Sequence, residues 1–139
     1  MSTFSGPVSV ELGTYSGAAE GLWLFDYSVN PYLIWHGGPA AQIVGGKSIG
    51  DEVAGQVRQQ APDASFVLVI AVAAGSALAA SLQQALSGDP KLGNGSFTAD
   101  SGSESVDFDL DGIVVLLKTP AGSGAVAFGF TLTSYEQID

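Results

Sequence analysis

The sequence predicts an α+β fold, mainly antiparallel sheet with two short helices, in one domain spanning residues 1–139. Three observations carry that expectation. Apolar residues alternate with polar or small ones in several short segments, two stripes of apolar residues are spaced by four, and Asp111-Gly112 sits between strand-like runs.

The elements follow in chain order. Val8, Val10 and Leu12 alternate with Ser9, Glu11 and Gly13, the period of a half-covered strand that begins after Pro7. GLWLFDYS places Trp23, Phe25 and Tyr27 on one face and Leu22, Leu24 and Asp26 on the other. YLIWH resumes after the turn Ser28-Val29-Asn30-Pro31. Large side chains on both faces mark these strands as central or covered on both sides. Beyond HGGPAA and AQIV, Ile49, Val53 and Val57 form a stripe with the period of a helix, predicted over about residues 49–61 and stopped by Pro62. SFVLVIAV reads as a buried strand. Leu78, Leu82 and Leu86 define a second helix over about residues 76–87, ended by Gly88.

NGSFTADSGSES is mostly polar and reads as an exposed connection. From about residue 104 to 135 the expectation is a β-meander. Asp111-Gly112 would be a two-residue hairpin loop, with Val106, Phe108, Leu110, Ile113, Val115 and Leu117 on one apolar face. After the turn TPAGSG, Val126, Phe128, Phe130 and Leu132 supply the last strand.

Composition bounds the function. The chain has no cysteine, which removes disulfides, thiolate metal sites and cysteine nucleophiles. The formal net charge is −10, and only Lys47, Arg58, Lys91 and Lys118 are basic. Phosphate backbones and anionic membrane surfaces both require clustered cations, so nucleic-acid binding is excluded and membrane contact is disfavoured. Charged residues are 13% of the chain, about half the usual share. An extended weakly charged, apolar surface is therefore expected, of the kind that is buried in a homo-oligomer or against another protein.

No secretory signal is visible in MSTFSGPVSV, and the default location is the cytoplasm. Ala64 to Gly88 carries no charge over 25 residues, but β-branched residues fill its first half and Gly75-Ser76 interrupts it, which argues against a transmembrane helix. A membrane-active protein that exposes the Ser65–Leu86 segment to lipid is the alternative this stretch raises.

Four constellations are candidates for chemistry. Gly46-Lys47-Ser48-Ile49-Gly50 matches GxSxG, with Ser48 as nucleophile of a small serine hydrolase. That motif needs a histidine later in the chain, whereas the only one here, His36, comes before. Ser48 followed by Asp51 instead fits the start of a helix, the hydroxyl accepting the Asp51 amide. A phosphate loop fails because position 41 is alanine. DFDLDG copies the opening of a calcium-binding loop, which makes Asp107, Asp109 and Asp111 candidate Ca²⁺ ligands, but the closing glutamate is replaced by Lys118. Trp23, Tyr27, Tyr32, Trp35 and His36 are the candidate ligand-binding residues, as an aromatic platform for a sugar ring or another flat group. The best-supported reading is a non-enzymatic binding or self-assembling protein.

Overall fold

A computed structural model describes residues 2–4, 8–30, 32–38, 43–44, 47–88, 91–101, 104–120 and 124–138. The strands are β1 (Ser2–Phe4), β2 (Val8–Leu12), β3 (Tyr15–Ala19), β4 (Gly21–Asp26), β5 (Leu33–Gly37), β6 (Ile43–Val44), β7 (Lys47–Ser48), β8 (Phe66–Ala73), β9 (Lys91–Ser101), β10 (Glu104–Pro120), β11 (Ala125–Leu132) and β12 (Ser134–Gln137). The helices are α1 (Ile49–Gln60) and α2 (Ala77–Ser87). The fold is thus mostly antiparallel sheet with two helices.

One sheet runs β1-β5-β4-β8-β11-β10-β9-β2-β3, with β12 added on β10, while β6 and β7 pair separately. Every pairing in the large sheet is antiparallel except β1 with β5. The ladder is not closed, yet it curls. β3 and β4 form nearly one strand bent at Glu20, whose N–H donates to the Ala71 carbonyl at 2.8 Å. That bent strand pairs with β2 on one stretch and with β8 on the next. β1 and β2 likewise lie in different parts of the ladder, although four peptide units can span at most about 14 Å. The chain itself therefore draws the two ends of the sheet together around an interior.

Alternation sorts the side chains into two cores. Leu22, Leu24, Trp35, Leu68, Ile70, Val72, Phe97, Phe108, Phe128 and Phe130 point inward, and α2 adds Leu78, Leu82 and Ala85 to the same cluster. On the outer face, Trp23, Phe25, Val67, Val69 and Ala71 are covered by Val53, Ala54 and Val57 of α1. β8 is buried on both faces because it lies between β4 and β11 with a core on each side. That explains its unbroken apolar run. No helix among the described residues is long and apolar enough to cross a membrane.

The helix ends follow local chemistry. Ser76 caps α2, its hydroxyl accepting from the Ala79 N–H at 3.1 Å, and the Gly88 N–H closes the other end on Gln84 O at 2.9 Å. α1 rests on Trp23 at Gly50, where an added Cβ would lie 2.3 Å from the indole ring.

Three expectations need correction. Of the NGSFTADSGSES stretch, residues 94–101 are not an exposed connection but part of strand β9, which pairs with both β10 and β2, while residues 102 and 103 lie outside the described residues. Thr98 and Ser96 point outward while Phe97 and Ala99 fill the interior, so polar content concealed a period of two. β3 was not anticipated: the Leu12/Tyr15 pair flanks a two-residue Gly13-Thr14 turn, with Gly13 at φ 66°. The third concerns Asp111-Gly112. β10 runs straight through it, and Gly112, at φ 67°, is the extra residue of a bulge opposite β9. A glycine able to take positive φ satisfies a hairpin and a bulge equally, so the dipeptide alone does not choose between them.

Candidate functional site

The turn between β4 and β5 brings the exposed aromatic residues together. It closes with the Asp26 N–H donating to Tyr32 O at 2.8 Å. Asp26, only 7% exposed, anchors the turn. Its carboxylate accepts from the Ser28 N–H at 3.0 Å, from the Ser28 hydroxyl, and from the Tyr135 hydroxyl at 3.0 Å. Burial alone would raise the Asp26 pKa, but these hydrogen bonds outweigh it and hold the group below its ordinary value.

On the outer face Tyr27 and Tyr32 stack with centroids 5.1 Å apart and planes 17° from parallel, and both stack against Phe25. The Arg58 guanidinium, from the last turn of α1, lies 4.1 Å from the centre of the Tyr27 ring. The Tyr32 hydroxyl reaches Asp51 Oδ1 at 3.4 Å, long for such a bond and correspondingly weak. Burial pushes the Tyr27 phenol up to about 12, a rise the Arg58 charge only partly offsets. His36 stands beside Trp23 on the same face, half-buried, and its Nδ1 has no hydrogen-bond partner among the described residues. Burial lowers its pKa against the opposing pull of Asp51, so the ring is neutral at pH 7.

Of the five aromatic candidates, Trp23, Tyr27, Tyr32 and His36 share the outer face, while Trp35 is inward among Phe97 and Phe108. Trp35 and His36 are consecutive, and a strand sends consecutive residues to opposite faces. Trp23 and Trp35 are each 1% exposed and can touch no ligand as they stand. The surface-facing set is therefore Tyr27, Tyr32 and His36, joined by Arg58 and Asp51. Neither of those last two was marked as a binding residue by the sequence, because nothing local shows which strand an α-helix will cross.

Ser48 directly precedes the first residue of α1, the place of a helix cap, but its side chain lies outside the described residues. Asp107, Asp109 and Asp111 occupy alternate outward positions of β10, opposite Thr98, Ser96 and Asn94. Successive outward positions of a strand are about 6.8 Å apart, so the run of three is too extended to close on one ion. Among the described residues, no group of three or more His, Asp or Glu side chains is disposed to hold a metal.

The exposed apolar surface is smaller than the composition suggests. Among the described residues the exposed large hydrophobics are Val29, Tyr32 and Ile138. Small neutral residues such as Ser16, Ala18, Ala77 and Ala80 supply much of the uncharged exterior. No family model, no curated protein and no solved structure matches the chain.

The Asp26–Tyr135 contact predicts a pH signature. Asp26 has a folded pKa below that of the unfolded chain, so its stabilisation is present above about pH 4 and is lost as pH falls through the folded value. For Tyr135, burial and the hydrogen bond to Asp26 push the phenol up to about 12. A raised tyrosine pKa stabilises fully below the unfolded value, about 10, and the contribution disappears as pH climbs through 12. Tyrosinate absorbance should show Tyr27 and Tyr135 ionising near pH 12. Tyr135→Phe should remove one of these steps and move acid unfolding to higher pH; an unchanged acid midpoint would contradict the assignment.

Proposed function

We propose that the protein is non-enzymatic and acts by contact, in a homo-oligomer or with another protein, anchored on the Val29–Tyr32 turn. The observation that carries this reading is the preorganised ring at Tyr32. It is 44% exposed, next to Val29 at 46%, and already stacked on Tyr27, which Arg58 covers. Tyrosine and arginine are over-represented among residues that dominate binding energy, and a ring held in place before contact loses little rotamer entropy on docking. The small share of charged residues, 13%, favours the same reading, since few ions would have to be desolvated on association.

Light scattering over a concentration series tests it. The expected result is a species heavier than the 14.1 kDa chain. Tyr32→Ser should weaken association at least tenfold, which corresponds to about 1.4 kcal/mol. Because the Tyr32 ring is substantially exposed, the melting temperature measured at a dilution where both proteins are monomeric should hardly change. A strict monomer at high concentration, or association indifferent to Tyr32→Ser, would count against this anchor.

A further inference from the structure

We propose, resting on the Tyr32 reading above, that Tyr135 is a positioning residue for that contact: through Asp26 it holds the Val29–Tyr32 turn in its binding form, so that docking of β12 and the contact are coupled. The Asp26 carboxylate divides its two oxygens between near and far. Oδ1 accepts from the N–H and the hydroxyl of Ser28, both inside the turn, and Oδ2 accepts from the Tyr135 hydroxyl at 3.0 Å. One oxygen therefore serves the turn, and the other a strand 109 positions along the chain. The Asp26 backbone also closes the turn, its N–H donating to Tyr32 O at 2.8 Å and its carbonyl accepting from the Val29 N–H at 3.3 Å. Ser28, Val29 and Asn30 are exposed, so packing does little to fix their backbone. The bonds to Asp26 fix it.

Removing the phenolic donor cannot leave the rest as it stands. Asp26 is nearly out of reach of solvent, and a buried carboxylate oxygen without a donor costs more than the bond contributed. The group answers by taking up a proton or by turning toward water. A protonated carboxyl is a weaker acceptor than a carboxylate, and turning draws Oδ1 away from Ser28. Either response loosens the turn.

Tyr135 is itself placed by β12 and its packing. The ring meets Phe66 edge-on at 5.5 Å and lies 6.4 Å from Phe108. Its strand has four residues, pairs with β10 alone among the described residues, and is extended by the Ile138 N–H donating to Asp107 O at 2.9 Å. A short strand held along one side can open locally while the remaining sheet stays folded. Opening of β12 withdraws the Tyr135 hydroxyl from Asp26, and by reciprocity a partner bound at Tyr32 favours the docked strand.

Tyr135→Phe keeps the ring and removes the donor. It should raise the dissociation constant read by light scattering about fivefold or more, the low end of ordinary coupling between sites. At a dilution where the protein is monomeric, the Ser28 amide of this variant should exchange faster than that of the wild type, a readout that needs no association. Rescue by a conservative change separates positioning from general stability. Asp26→Asn can accept from Ser28 through its carbonyl and donate to the Tyr135 oxygen through its amide, so it should lose less affinity than Asp26→Ala. If Tyr32→Ser weakens association while Tyr135→Phe leaves association and Ser28 exchange at wild-type values, the coupling is overturned and the anchor stands. Association indifferent to Tyr32→Ser, or a strict monomer, overturns both. If Tyr135→Phe fails to fold, the wild type decides: exchange at the Ile138 amide should slow as concentration raises the associated fraction, and an unchanged rate overturns the coupling.

Discussion

Phe108→Ala will lower stability by about 3–5 kcal/mol, seen as a fall in the urea midpoint at constant slope. Phe108 is 3% exposed and stacks on Phe97 with centroids 4.7 Å apart and planes 22° from parallel. It also meets the edge of Trp35 at 6.2 Å and Tyr135 at 6.4 Å. These rings come from four strands, β5, β9, β10 and β12. Each backbone is fixed by its register, so the rings left behind cannot collapse into the space, and the cavity cost adds to the lost transfer energy. Asp109→Asn, one residue along and outward, should stay within about 0.5 kcal/mol of wild type. A loss below about 1 kcal/mol for Phe108→Ala would show that this aromatic cluster is not packed as described.

Gly112→Val should cost at least about 2 kcal/mol, for two additive reasons. The residue sits at φ 67°, where a β-branched side chain is strained by roughly 1–2 kcal/mol. A Cβ there would also lie 1.9 Å from Thr133 Oγ1 and 2.7 Å from Thr133 Cβ. Thr133 cannot retreat freely, since its N–H is bonded to Asp111 O at 2.8 Å. Gly112→Ala with Thr133→Ala separates the terms. Shortening Thr133 should recover part of the steric cost and leave the backbone strain, whereas full recovery would mean that the positive φ costs nothing.

The same glycine shows what a sequence can disclose. Phe108, Leu110, Ile113 and Val115 belong to the inner cluster and Val106 packs against it, as the alternation requires. A two-residue hairpin and a one-residue bulge both leave Leu110 and Ile113 facing the same way, so the face was legible although the connection was not. Leu117 breaks the pattern because a further irregularity, between Val115 and Leu117, turns it outward to the core beneath α1. The helices were legible because stripes spaced by four have one interpretation at that length. β3 was not, since YSGAA contains no apolar alternation and is held by its pairing with β2. In the candidate site, Tyr27 and Tyr32 could be marked as aromatics, but the roles of Arg58 and Asp26 depend on elements distant in sequence. Tyr135, which fixes Asp26, is 109 positions away.

The pairing of β2 with β9 also governs how the chain can acquire its structure. Val8 lies opposite Ala99 and Leu12 opposite Gly95, so the second strand of the protein has only its hairpin mate β3 until most of the chain has been synthesised. β1 waits for β5, and β8, apolar on both faces, waits for β11. Contacts of such long sequence separation impose loop-closure entropy before they return energy, which places the protein among slowly folding topologies. A nascent chain that has reached residue 88 would hold β8 paired with β4 and backed by α1, but with the flank that receives β11 unpaired and its inner face still without the side chains of β9 to β11. During that interval the protein is most exposed to aggregation, and the arrival of β9 to β11 ends it.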